Sequence, residues 1–388
     1  MSRRMITRLL VANRAEIASR VFRTCRELGI ETVAIHSDAD AHLPYVREAD
    51  HAVHLPGNAP SETYLRIDLV LDAAKRSGAD AIHPGYGFLS ENAEFARAVI
   101  DAGLTWVGPT PESIDAMGSK IEAKRIMKAA GVPVLEAPAE PTKADLPLLV
   151  KASAGGGGRG MRVVRSLAEL AGEIEKAQAE AASAFGDGTV FVEPYVERGR
   201  HVEVQVVGTS VYGDRDCSLQ RRHQKVVEEA PAPGLSEEVR AALHDAARKA
   251  AEAIDYRGAG TVEFLYDPAT ERFWFLEMNT RLQVEHPVTE LVADVDLVRL
   301  QITAAEADWT MGWPDPPDGH AIEVRLYAED PERDYQPQSG TLTTFEIPRE
   351  DGIRVDAGFE SGSTVSTHYD AMIAKVIAHA PTREAAAR

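Results

Sequence analysis

The chain has 388 residues, 44% of them apolar and 27% charged, enough for two or three packed domains and too apolar for a disordered polymer. Its 61 acidic side chains outnumber 42 lysines and arginines, and a net charge of −19 argues against wrapping a nucleic acid, which needs clustered cations. Cys25 and Cys217 are too few for a disulfide framework or a zinc set, and no apolar run approaches the ~18 residues of a membrane span, so a cytoplasmic multidomain protein is expected.

From residue 6 to about 110, strand-like and helix-like patterns alternate. Residues 6–12 read as a buried strand. Residues 16–28 place Ile17, Val21, Cys25 and Leu28 at helical spacing, and Gly29 stops them. Further strands are predicted over 32–35, 81–83 and 105–108, with helices over 67–75 and 92–102 closed by Gly78 and Gly103. This pitch predicts a parallel, doubly wound α/β sheet, a Rossmann-like domain over residues 1–112. The first strand runs into Asn13-Arg14-Ala15-Glu16 with no Gly-x-Gly-x-x-Gly, so a nicotinamide site is not expected.

The rhythm changes after residue 112. A helix over 119–130 leads into residues 132–149, where four prolines forbid a regular element. A strand into Lys151, a glycine run, a strand over 161–164 and a long helix over 167–184 follow. Extended segments over 190–196, 201–207, 260–266 and 273–279, with a helix over 241–254, complete an antiparallel α+β pattern over 113–318. A proline-rich stretch at 313–318 precedes a last, β-rich segment over 319–388.

Four features carry chemistry. The run Lys151–Gly160 holds Gly155, Gly156, Gly157 and Gly158 between Lys151 and Arg159; bare backbone N–H groups there suit phosphate oxygens, although a glycine run alone also suits a plain hairpin turn. It is not a Walker loop, because no Gly-Lys-Ser/Thr closes it. The segments 262–266 and 273–279 flank a turn composition, and centring the hairpin on Thr270 sets Glu263 opposite Glu277. Two carboxylates so close, with Asn279 on the same face, call for a cation, and oxygen-only ligands suit Mg²⁺ or Mn²⁺. A one-residue slip would instead turn Glu263 away. Continuing that strand, Glu277, Asn279, Arg281, Gln283 and Glu285 are spaced by two and are expected to share one face. A cation end, an arginine and then a carboxylate suit an ATP-using ligase that holds and deprotonates a small anion. The run Gln220–Lys225 supplies further cations, read either as a surface patch or as a contact for phosphates and an acidic co-substrate.

Together Leu10–Ile17, His83–Asn92, Lys151–Gly160, Arg200–Gln205, Asp216–Pro231 and Glu277–Pro287 resemble biotin carboxylase, the ATP-grasp component of acyl-CoA carboxylases and pyruvate carboxylase, over nearly the whole chain. The resemblance implies an N-terminal Rossmann-like domain, an ATP-grasp domain over 113–318 with a glycine-rich lid over about 131–203, and a C-terminal β-rich domain. It implies carboxylation of biotin N1 by bicarbonate and ATP through carboxyphosphate. In that reading Lys120, Lys151, Gly155–Gly158 and His223 meet nucleotide phosphates, Glu193 lies by the adenine, and His201 and Gln220 lie by the nucleotide. Glu263, Glu277 and Asn279 hold magnesium or manganese. Lys225, Arg281, Gln283, Val284 and Glu285 surround bicarbonate, Glu285 is the base, and Arg325 steadies the biotin enolate. The implied partners are a biotin carboxyl carrier domain, a carboxyltransferase subunit and a second copy of the chain or a larger carboxylase complex.

Departures from the pattern are Ala15 in place of glycine, Pro194 in place of lysine, and a short connection over 132–149. The chain stops at Arg388 where a helix over 382–387 begins, so the C-terminal domain is expected to be incomplete. No Met-Lys-Met motif is present to carry biotin. Two other readings compete: an acyl-phosphate ligase related to carbamoyl phosphate synthetase, and a silent assembly subunit.

Overall fold

Alternation of apolar strands and amphipathic helices in the first hundred residues produces the layer it predicts. The computed structural model describes residues 5–154, 161–307, 316–348 and 350–388. Strands β1 (Arg8–Val11), β2 (Glu31–His36), β3 (His51–His54), β4 (Ala81–His83) and β5 (Thr105–Trp106) form a parallel sheet in the order β3-β2-β1-β4-β5. The helix Ala15–Leu28 buries Ile17, Val21, Phe22 and Cys25 and ends on Gly29 in the left-handed region. Asn92 caps Ala93–Asp101, its side chain accepting from the Phe95 N–H. The edge strand β3 was not expected; four residues reading His-Ala-Val-His give no clean apolar pattern. Ala15 sits at φ +53°, in the region that favours glycine.

The second layer is one antiparallel sheet of eight strands. Its members are β9 (Arg200–Val207), β10 (Ser210–Arg221), β11 (Gln224–Ala230), β12 (Ala259–Asp267), β13 (Arg272–Asn279), β14 (His320–Tyr327) and the strands Met372–Ala380 and Ile353–Ala357. They run in the order β13-β12-β9-β10-β11-β14, then 372–380 and 353–357. The last β-rich segment therefore adds its strands to the central sheet. Helix Glu237–Ala253 packs Leu243, Ala247 and Ala250 against this sheet. It starts four residues before the predicted 241 because Ser236 caps it and Glu237 and Glu238 favour its first turn.

A smaller sheet of three strands stands apart: β6 (Leu148–Ala152), β7 (Arg162–Val164) and β8 (Val190–Pro194), in the order β7-β6-β8. With helix Leu167–Phe185 it closes its own core of Leu148, Val150, Val164 and Ala177. Pro194, which cannot donate to a ladder, ends an edge strand. The expected flap residues Gly155, Gly156, Gly157 and Gly158 lie outside the described residues.

Candidate active site

The β12–β13 hairpin supplies the first part of the site. Near the turn its pairs run Asp267↔Arg272 to Phe264↔Phe275, and beyond a bulge they run Glu263↔Glu277, Val262↔Met278 and Thr261↔Asn279. Leu276 is the extra residue, and it changes which face follows. Without it Phe275 and Glu277, two apart, would share a face; with it Phe275 enters the core while Glu277 turns to the site. Glu263 thus faces Glu277 as the spacing predicts, and Asn279 Nδ2 donates to Glu263 Oε1 at 2.7 Å.

Burial pushes the Glu277 carboxyl up and the charge of Glu263 adds to it, with Lys120 pulling the other way. Glu277, Lys120, Glu91 and Arg281 line one cavity of about 450 Å³. Burial holds the Lys120 ammonium below its ordinary value, against the opposing pull of Glu277. A half-buried carboxylate raised by a second one beside it fits a divalent ion bound through oxygen, with Glu263, Glu277 and Asn279 as ligands.

Strands β9, β10 and β11 bring up the second part. Lys225 Nζ donates to Glu203 Oε2 at 2.6 Å, Glu285 Oε1 at 2.6 Å and Glu263 Oε1 at 2.9 Å. Burial would lower this ammonium, but the three carboxylates hold it well above its ordinary value. Beneath it Arg215, fully buried, donates to Glu203 Oε1, Gln205 Oε1 and Thr289 Oγ1 at 2.6–2.8 Å. His201 Nε2 lies 2.8 Å from Glu263 Oε2, and its Nδ1 lies 3.1 Å from the Gln220 amide. His223, by contrast, is exposed on the two-residue turn Arg222-His223 at φ +53° and +63°.

The expected single extended face from Glu277 to Glu285 is not what forms. The strand ends at Asn279, and the chain bends where the Glu91 carboxylate accepts from the Thr280 N–H at 3.0 Å. The remaining residues converge through a loop and a helix start. Arg281 donates to Glu91 Oε2 and Asn279 Oδ1, each at 2.9 Å. Gln283 Nε2 donates to Glu263 at 3.0 Å, and the Val284 carbonyl accepts from Lys375 at 2.6 Å. Glu285 ends this loop as the N-cap of helix His286–Ala293. Burial alone would raise its carboxyl, yet Lys225, Arg325 and Arg215 hold it well below the usual carboxylate range. Arg325, on β14, donates to Glu285 Oε2 at 2.9 Å and through Nε to Glu228 Oε1 at 2.7 Å.

Toward the lid, Glu193 is buried between two lysines. Lys151 on β6 reaches it at 3.0 Å, and Lys124 of helix Lys120–Ala129 at 2.8 Å. Sequence reasoning assigned no role to Glu91, Lys124, Glu203, Arg215 or Glu228. For Glu203 a signal existed: His201, Glu203 and Gln205 alternate with three valines, which marks a polar face within a buried strand.

A small three-stranded sheet beside a large antiparallel one, with buried acidic oxygens and lysines on both, is the arrangement of an ATP-grasp ligase. Three family models tile the chain: "Biotin carboxylase, N-terminal domain" over residues 5–114, "Carbamoyl-phosphate synthase L chain, ATP binding domain" over 112–308, and "Biotin carboxylase C-terminal domain" over 323–388. The chain belongs to the biotin carboxylase family. It is 48% identical to a biotin carboxylase of Allochromatium vinosum, covering 98% of this chain and 89% of the relative. Against biotin carboxylase 1 of Bacillus subtilis the identity is 46%, with the same coverage of each. Among solved structures, the Campylobacter jejuni biotin carboxylase β,γ-ATP complex superposes with a TM-score of 0.94 at 41% identity, covering 98% of this chain and 89% of that one. The biotin carboxylase domain dimer of Hydrogenobacter thermophilus 2-oxoglutarate carboxylase, with MgADP and bicarbonate, gives 0.92 at 43% identity, covering 99% and 88%.

Proposed function

We propose that the residues gathered around Glu263 and Glu285 carry out ATP- and bicarbonate-dependent carboxylation of biotin N1 on a carrier domain, the first half-reaction of a biotin-dependent carboxylase. The observation that carries this reading is Lys225, within 2.9 Å of three carboxylates, one from the hairpin, one from β9 and one at the helix start.

Glu263, Glu277 and Asn279 would hold a divalent ion, which would supply positive charge to the nucleotide phosphates. Lys120, Lys151, the flap Gly155–Gly158 and His223 bind those phosphates, with Glu193 on the adenine side and His201 and Gln220 beside the nucleotide. Arg281 offers bicarbonate a planar fork and Lys225 a second donor, with Gln283 and the Val284 backbone completing the pocket. Arg281 and Lys225 are now engaged by Glu91 and Glu285. Bicarbonate taking those donors for itself frees Glu285, whose carboxylate accepts the bicarbonate proton. The bicarbonate oxygen then attacks the γ-phosphorus, ADP leaves, and carboxyphosphate forms. Its breakdown gives CO₂ and phosphate; the phosphate takes the N1 proton of biotin, Arg325 steadies the enolate oxygen, and N1 captures CO₂.

Functionally the chain divides into residues 1–112, an ATP-grasp unit over 113–318 with its lid over about 131–203, and residues 319–388. A carrier domain, a carboxyltransferase and a second copy of the chain complete the cytoplasmic assembly. Similarity to the Mycobacterium leprae "Biotin-dependent acyl-coenzyme A carboxylase alpha3 subunit", 47% identical with the chain spanning 66% of its length, supports an acyl-CoA holoenzyme.

The test is ADP release with and without free biotin at fixed ATP, magnesium and bicarbonate. Biotin-stimulated release is the expected result. Release that answers to ammonia and ignores biotin, or no release at all, overturns the proposal.

A further inference from the structure

Glu323 lies in the middle of β14 with no exposed surface, and neither of its carboxylate oxygens has a hydrogen-bond partner among the described residues. Directly across the sheet on β11 stands Glu228, equally buried, with its Oε2 unpartnered as well. Such opposed Cβ atoms are about 4.5–5.5 Å apart, where two like charges out of water repel strongly. On the other side of Glu323 stands Ile377, which joins Ala230, Ala321, Val288 and Val292 in an apolar cluster, so no donor comes from there.

The charged and titratable groups around the pair are Arg325 on β14, Lys225 on β11, Lys375 on 372–380, and Glu285 and His286 at the start of helix His286–Ala293. None of them gives Glu323 a hydrogen bond. Lys375 Nζ lies 2.6 Å from the Val284 carbonyl and 3.2 Å from Glu16. Arg325 divides its donors between Glu228 Oε1 and Glu285 Oε2. His286 Nδ1 lies 2.6 Å from the Gln283 carbonyl, while its Nε2 makes no hydrogen bond and lies 3.8 Å from Glu290 Oε2.

We infer that Glu228 and Glu323 hold one proton between them, with neutral Glu323 donating to Glu228 Oε2, and that Glu323 is a positioning residue for Arg325. The shared proton keeps the pair singly charged, so that Arg325 stays stretched between Glu228 and Glu285 at the biotin end. This rests on the role proposed above for Arg325. Burial pushes Glu323 well above the carboxylate range and, against the pull of Arg325, brings Glu228 up to about 7. As pH rises and the proton leaves, a second negative charge appears beside Arg325 and draws it from Glu285, so biotin-dependent turnover falls.

The experiment compares biotin-dependent kcat/KM across neutral and alkaline pH for the native protein and Glu323→Gln. Glutamine keeps a neutral donor of the same shape but cannot ionise. Turnover at neutral pH stays within about twofold, the alkaline limb moves up by about one pH unit or more, and the KM for ATP is unmoved. Superimposed profiles overturn the inference, and so does a glutamine variant that folds but is inactive at every pH. Should Glu323→Gln fail to fold, infrared spectra of glutamate-labelled protein in a Glu277→Gln background read the proton directly. A protonated-carboxyl band persisting at neutral pH is expected, and its absence overturns the inference. Failure of the Arg325 role shows differently: Arg325→Gln then leaves biotin-dependent turnover intact while the infrared band is unchanged.

Discussion

Arg281 lines the cavity with its guanidinium on the Glu91 carboxylate, and in the reaction proposed above bicarbonate would take that carboxylate's place. Lysine at this position keeps the charge but loses the two-pronged match. Arg281→Lys therefore retains ATP binding and loses biotin-dependent turnover by about a hundredfold, read from steady-state ADP release. Glu277 gives a second test, because its two effects have opposite signs. Glu277→Gln weakens metal-nucleotide binding by roughly tenfold to a hundredfold in calorimetry, since it removes an oxygen charge from the ion. The same change stabilises the metal-free protein at neutral pH, because it deletes a carboxylate whose ionised form is opposed by burial and by Glu263. A variant less stable without metal would separate Glu277 from that role. Ala15 is strained at φ +53°, and Ala15→Gly relieves it, raising stability by about 0.5–1 kcal/mol in urea denaturation.

Among the elements, the lid makes the clearest prediction. Glu193 joins β8 to β6 through Lys151 and to helix Lys120–Ala129 through Lys124, all three side chains largely buried. Glu193→Gln strands two ammonium groups near each other, which costs about 3 kcal/mol. Amide exchange over β6 and β8 then rises while the central sheet stays protected; unchanged exchange would mean that the lid is held by other contacts. The hairpin shows how far sequence reasoning reached. The turn composition at 267–270 set the Glu263–Glu277 register correctly, although pairing next to the turn is offset by one and Leu276 restores it. A bulge leaves no mark in a pattern of period two, so it was invisible. The supposed straight run to Glu285 failed for a related reason: spacing by two describes a face only while the backbone stays extended, and the Glu91 contact that bends it lies 189 positions away. Long-range partners such as Glu203, Arg215 and Glu228 were likewise beyond local patterning, whereas the Rossmann-like layer, built from near-neighbour strands and helices, was legible almost element by element.

At the scale of the whole molecule, charge decides the response to acid. Glu229 on β11 ties β14 through His320 at 2.8 Å and the final helix, Arg383–Ala386, through Arg383. Partial burial would raise its carboxyl, but His320 and Arg383 bring it down to about 2. A carboxyl lowered on folding stabilises above its unfolded value of about 4.3, and the benefit is lost as pH falls toward 2. Glu229→Gln therefore lowers the urea midpoint at neutral pH and flattens its fall in acid; parallel curves for the two proteins would exclude this residue as the source.

The eight-stranded sheet places Glu277 on its edge strand and Arg325 several strands away, joined strand to strand by antiparallel pairings that bulges interrupt at three of the steps. That ladder acts as a ruler. If Glu277 and Arg325 serve the two ends of the reaction proposed above, the spacing of the strands between them sets how far apart those ends lie.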